Sequence, residues 1–260
     1  MKIKNLFLIS ILFLTANLYA QHKQSFVKEY LVEGTDTLKL RVLYPKDFKK
    51  TESYPLVVFL HGAGERGNDN EKQLVHGSQL FVDSIQKYPA IVVFPQCKEN
   101  DYWANAEVDR TTKPITLQFP KERKPTKSMH LVVRYLDELV KNNYVNKNQI
   151  YLGGLSMGGM GTFELLGRKP HMFAAAFAIC GGGNTELAEK YAKNTPMWIF
   201  HGAEDDVVDP RLSVEMVSAL MKYGAKPNFN LYRNTNHNSW DAAFAEPELL
   251  SWLFSNKKKN

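Results

Sequence analysis

Ser156 stands in Gly154-Leu155-Ser156-Met157-Gly158, between an apolar strand-like run at Gln149 to Gly153 and a helical stretch containing Phe163 to Leu166. A serine hydroxyl is a weak nucleophile at neutral pH and acts only with a base in reach and a third group that orients the base. Glycines flanking the serine permit a tight strand-to-helix turn that lifts the hydroxyl above a sheet. The helix beginning there favours developing negative charge. A bare G-x-S-x-G also arises by chance as a glycine-rich turn, and the strand before it and helix after it are what give it weight here.

After a nucleophile on such a turn, the acid and then the histidine follow in chain order. His171, His201 and His237 come after Ser156, and only His237 lies beyond the acidic cluster Asp205, Asp206 and Asp209. It occupies a polar loop, Asn234 to Ser239, just after the last strand-like run. Asp205 follows the run Met197 to Phe200, as the acid should, but chain order alone does not separate the three aspartates. Asp209 precedes Pro210 and an apolar-periodic helix, the arrangement of an N-cap with proline at the first helical position. Asp206 is adjacent to Asp205, so the two side chains should diverge, and the residues alone leave the choice between them open.

Acyl transfer through a serine also needs two N–H donors for the oxyanion. The residue after the nucleophile, Met157, supplies one. The second belongs to His61-Gly62-Ala63-Gly64-Glu65-Arg66-Gly67, where Ala63 is the assignment and Gly64 the alternative. His61 reads as a brace of that loop rather than a second base. No His/Cys cluster has metal-ligand spacing and no phosphate-cradling loop is present, so neither metal nor organic cofactor is expected.

The elements that must position these groups follow an α/β pattern. An antiparallel hairpin opens the chain: a strand ending near Leu31, a turn through Glu33 to Asp36, then alternation at Leu38, Leu40, Val42 and Tyr44. Apolar strands at Pro55 to Leu60, Ala90 to Phe94, Gln149 to Gly153, Ala174 to Ile179, Met197 to Phe200 and Asn228 to Tyr232 alternate with helical patterns. The helices fall at Ser128 to Lys141, at Pro210 to Tyr223 and around Leu249, Trp252 and Leu253. That alternation predicts a mostly parallel central sheet with helices on both faces. The stretch 98–125 has little periodicity and is either a functional loop over the site or a long insertion.

At 260 residues and 44% hydrophobic content, one domain is expected. Residues 1–20 carry Lys2 and Lys4, an apolar run from Leu6 to Leu14 and Ala20 before Gln21, which reads as a secretory signal peptide, leaving 21–260 as the catalytic domain. The run is too short to span a bilayer, no later apolar stretch reaches the needed length, and no Cys stands near the cleavage point, so an exported protein without integral membrane or lipid anchoring is expected. The net charge of +6 includes the leader and the tail Lys257 to Lys259, and no basic patch with interleaved aromatics marks a nucleic-acid partner. Cys97 and Cys180 end strands expected to have two others between them. That puts them about 14 Å apart at about 4.8 Å per strand, against a disulfide reach of about 7 Å, so two free thiols are expected.

The segments PLVVFLHGAGERG, GLSMGGMGTF, ICGGG, FHGAEDDVV and NHNSWD together resemble bacterial α/β-hydrolases of the predicted-peptidase or phospholipase/carboxylesterase-like kind. These are relatives of feruloyl esterases, acetylxylan esterases and polyhydroxybutyrate depolymerases. The resemblance spans Leu56 to the C-terminus. It implies Ser156 as nucleophile, Asp205 as acid, His237 as base, Ala63 and Met157 as oxyanion donors, and Trp103 and Trp240 as pocket residues. It further implies an ester substrate, with acetyl or feruloyl esters of plant polysaccharide ahead of two alternatives: a peptidase of the prolyl-oligopeptidase type, and a non-catalytic binding module on a hydrolase scaffold.

Overall fold

The computed structural model describes residues 25–121 and 124–258; the signal segment expected at 1–20 lies outside the described residues. Phe26–Glu33 (β1) and Asp36–Leu43 (β2) form the expected hairpin, in register from Phe26↔Leu43 to Glu33↔Asp36. Tyr54–Leu60 (β3), Ile91–Gln96 (β4), Val145–Leu155 (β7), Ala175–Ile179 (β8), Met197–Gly202 (β9) and Asn228–Tyr232 (β10) complete an eight-stranded sheet. Its order is β1-β2-β4-β3-β7-β8-β9-β10, and only the pairings of β2 with β1 and β4 are antiparallel.

Continuous apolar runs suit strands buried on both faces. In β3, Leu56, Val58 and Leu60 enter one core layer while Val57 and Phe59 enter the other. Helices α2 (Lys127–Leu139), α3 (Met157–Arg168) and α5 (Arg211–Lys222) close the first layer with Leu136, Phe163 and Leu220. On the second, α1 (Ser78–Ser84) and α7 (Leu249–Ser255) contribute Phe81 and Leu253. The short helices α4 (Ala188–Tyr191) and α6 (Trp240–Phe244) add Tyr191 to the first layer and Ala243 to the second. The chain steps from β3 outward to β4 and then back past β3 to β7, so the loops after β3 and β7 diverge. A crevice at the carboxyl ends of the strands results.

The aperiodic stretch is the loop over the site. It folds into a small antiparallel pair, Glu107–Asp109 (β5) with Thr116–Gln118 (β6). The pair docks on the acid loop, where the Ile115 N–H donates to Val207 O at 2.9 Å. Ala104, Leu117, Met160 and Val208 are buried together beneath it. Cys97, after β4, and Cys180, after β8, are buried free thiols with β3 and β7 between them. Pro210 already has helical backbone ahead of α5, and Asp209 Oδ1 accepts the Arg211 N–H at 2.9 Å, so Asp209 does cap this helix.

Candidate active site

β7 ends at Leu155 and α3 begins at Met157, which leaves Ser156 alone on the turn at φ 54° and ψ −118°. A side-chain-bearing residue held there costs about 1–3 kcal/mol, which the surrounding packing must over-determine. Gly158 makes the turn possible: a Cβ on it would stand 1.9 Å from the Leu60 carbonyl oxygen, so the first turn of α3 abuts the end of β3.

Ser156 Oγ lies 2.9 Å from His237 Nε2, and His237 Nδ1 lies 2.8 Å from Asp205 Oδ2. The Asn236 side chain ties the two supporting loops together, its Oδ1 accepting the N–H of Asp206 at 3.1 Å and of His237 at 2.6 Å. Asp205 is buried, whereas Asp206 is exposed and turned away. Among the described residues the Asp205 carboxylate is met only by donors: Oδ1 accepts from Val207 and Val208 N–H at 2.9 Å each, and Oδ2 from both His237 and His201, the latter at 3.1 Å. Burial, the largest single influence, pushes its acidity toward higher pKa. Hydrogen bonds from His201 and His237, the charge of His237 and the Val208 N–H together outweigh it and hold the carboxyl well below the usual carboxylate range.

His201 is a supporting residue that chain order passed over. It is wholly buried at the end of β9, with Nε2 shared between Asp205 Oδ2 and Val208 O and Nδ1 2.7 Å from Ser213 Oγ. Its place in the FHGAEDDVV segment, at the end of β9 and four residues before the acid, was the available signal.

The loop after β3 carries the other donors. Among the described residues, the N–H groups of Ala63 and Met157 have no acceptor; Ala63 lines the crevice with Ser156, and Met157 follows Ser156 directly at the start of α3. Gly64 N–H is likewise unengaged, so the alternative stands. His61 is the brace expected of it: wholly buried, it accepts the Cys97 N–H at Nε2, while Nδ1 lies 2.6 Å from Gly62 O. Burial is the main reason that its pKa falls to about 4, so it donates from Nδ1 and stays neutral.

Trp103 does not line the pocket. It is fully buried, with Nε1 donating to His61 O at 3.0 Å, so it supports the oxyanion loop from behind. Its neighbour Tyr102 reaches the crevice instead. Trp240 does line it, edge-on to His237 with ring centroids 5.4 Å apart. The cleft, about 250 Å³, also takes in Glu65, His76, Arg110, Ile115 and Met160. Arg110 and Ile115 come from the aperiodic stretch and carried no periodic signal.

Cys180 brings its sulfur within 4.8 Å of ligand atoms of Asp205 and His237, a spacing that metal triplets also show. Its thiol is pushed up in pKa, chiefly by burial and then by the Asp205 charge, and the other two atoms are bonded to each other. Asp205 Oδ2 and His237 Nδ1 already bond to each other within the relay that positions Ser156, with the Cys180 thiol packed behind them.

A mostly parallel sheet with a serine on the elbow after β7, an acid after β9 and a histidine after β10 defines the α/β-hydrolase fold. Residues 47–247 match the phospholipase/carboxylesterase family, and the chain belongs to it. A thermostable esterase of known structure superposes with a TM-score of 0.80 at 30% identity, covering 92% of this chain and 64% of that one. A ferulic acid esterase shares the fold at 18% identity and a TM-score of 0.65, over 88% of this chain and 98% of that one. Among sequence relatives, a bifunctional acetylxylan esterase/xylanase of Neocallimastix patriciarum is 34% identical over 97 residues, 37% of this chain and 14% of that protein. Lysophospholipase-like protein 1 of Mus musculus is 27% identical over 70% of this chain and 79% of its own length. The chain thus spans only a small part of the first of these relatives and just under two thirds of the thermostable esterase.

Proposed function

We propose that the protein is an exported serine esterase that cleaves carboxylic esters through an acyl-enzyme, with acetyl or feruloyl esters of plant polysaccharide as substrates. The observation that carries the reading is the unbroken relay from Ser156 Oγ to His237 to Asp205 at the floor of a cleft. With Nδ1–H donated to Asp205, His237 presents its Nε2 lone pair to the serine. Ser156 Oγ attacks the ester carbonyl carbon as Nε2 takes its proton, and the carbonyl oxygen becomes an oxyanion held by the N–H groups of Ala63 and Met157. Collapse expels the alcohol, to which the imidazolium returns the proton. Water then enters by the same steps and releases the acid.

The esterase names among the relatives support the ester reading, and the basic-then-apolar leader supports export. An intact relay speaks against a mere binding module. Two measurements test the proposal. A fluorophosphonate probe followed by peptide mapping should label Ser156 alone, and Ser156→Ala should lose on the order of a million-fold in kcat. A panel of kcat/KM values should favour acetylated and feruloylated xylan fragments over proline-containing peptides. Labelling elsewhere removes the nucleophile assignment, and a clear preference for peptides replaces the esterase by a peptidase.

A further inference from the structure

The cleft wall holds a carboxylate that no part of the proposed mechanism uses. Glu65 ends the short 3-10 turn after β3, and its side chain is only 13% exposed. Among the described residues its carboxylate accepts no hydrogen bond, and its ion-pair contact is with His76 Nε2 at 3.8 Å. A Cβ on Gly62 would stand 2.9 Å from Glu65 Oε2 and 3.7 Å from Ser156 Cβ, so the carboxylate and the nucleophile are neighbours across one glycine. A carboxylate accepts at about four lone-pair positions, and these open onto the cleft beside the nucleophile, where hydroxyl donors of a bound ligand can take the place of solvent.

The surroundings say which donors. Trp240 stands between His237 and His76, its ring centroid 5.4 Å from the first and 5.1 Å from the second. His237 is the group that hands a proton to the departing alcohol, so this wall of Trp240, His76 and Glu65 is the alcohol side of the cleft. Arg110, exposed on the same cleft, has no ion-pair partner among the described residues. A cationic alcohol would meet the Glu65 carboxylate but be repelled by Arg110. A neutral polyhydroxyl ligand can donate to the carboxylate, accept from the guanidinium and lay an apolar C–H face on the indole.

We infer that Glu65, with Arg110 and Trp240, forms a subsite for a polyhydroxylated alcohol moiety, a glycosyl unit with free hydroxyls beside the scissile ester. This rests on the esterase reading above and names the part of the cleft that selects the leaving group. Glu65 is a specificity-determining residue in it.

The test compares kcat/KM for a methyl mono-O-acetyl-xyloside, the same xyloside fully acetylated, acetylcholine and p-nitrophenyl acetate, in wild type, Glu65→Gln and Arg110→Gln. Fluorophosphonate labelling of Ser156 and thermal melting are followed on each protein, so that failure of the serine reading is seen separately. The expected result is a fall of about tenfold or more in the ratio of the monoacetyl xyloside to p-nitrophenyl acetate on Glu65→Gln, the scale of one lost charge-assisted hydrogen bond. A smaller fall is expected on Arg110→Gln, and the fully acetylated xyloside, which has no hydroxyl to donate, should show no such change. An unchanged ratio in a folded, labelled Glu65→Gln protein overturns the inference. A wild-type preference for acetylcholine that Glu65→Gln abolishes also overturns it, in favour of an ammonium subsite.

Discussion

Replacing Asp205 by asparagine preserves shape and removes the acceptor that the site requires. The carboxylate receives four N–H groups, from Val207, Val208, His201 and His237, and donates to none. An amide has one oxygen and one NH₂. With its oxygen toward Val207 and Val208, the NH₂ faces both histidines; with its NH₂ toward the backbone, two N–H groups lose their acceptor, at about 1–3 kcal/mol for a buried one such as Val208. The first arrangement is favoured, and there His237 must accept at Nδ1 and carry its proton on Nε2, pointing at Ser156. The base has then become a donor. A wrong tautomer of this kind lowers kcat by about 10⁴, or roughly 5–6 kcal/mol of transition-state stabilisation. The assay is kcat on p-nitrophenyl acetate for Asp205→Asn, Asp206→Asn and Asp209→Asn side by side, with melting curves to confirm folding. Asp206 is exposed, and an asparagine in place of Asp209 would still cap α5, so both of those variants should stay within a few-fold of wild type. A kcat for Asp205→Asn within tenfold of wild type, or an inactive Asp206→Asn beside it, refutes the reasoning.

His201→Phe should leave a slower but still active enzyme that unfolds several degrees earlier. It strips one donor from Asp205 and leaves Val208 O without the His201 donor, while Ser213 Oγ keeps its hydrogen bond to Gly181 O, about 1–3 kcal/mol in all, and an unchanged melting temperature would contradict it. Gly158→Ala should fail to fold or lose well over 1 kcal/mol in urea titration, because the new methyl meets backbone oxygen, whereas Gly64→Ala, with open space around it, should melt like wild type. Because the folded-state pKa of Asp205 is depressed, its ionisation stabilises the fold above the unfolded value near 4 and the benefit fades as pH falls below that. The stability gap between wild type and Asp205→Asn, measured by urea unfolding, should therefore shrink below about pH 4; a gap that widens toward acid would reverse the sign of the argument.

Periodicity and punctuation in the chain determined the hairpin, the parallel sheet and the order serine, acid, histidine, because each depends on local pattern: double-sided apolar runs, a glycine-flanked elbow, polar loops after strands. The two strands between Cys97 and Cys180 followed from the same bookkeeping, and so did the capping role of Asp209. What local pattern could not specify was which side chains converge from separate segments. Trp103 and Tyr102 are adjacent in sequence, and only the packing of the segment around them against α3 decides that the indole is buried under the oxyanion loop while the phenol reaches the cleft. Asp205 and Asp206 are equally acidic and equally placed in order, and the hydrogen bonds of Val207, Val208, His201 and His237 settle which one is drawn inward. Glu65 reads as one more loop charge until Gly62 is seen to leave room for its carboxylate beside Ser156. Convergence of this kind is set by long-range burial and by the satisfaction of buried polar groups, and these are properties of the whole packed chain rather than of any window within it.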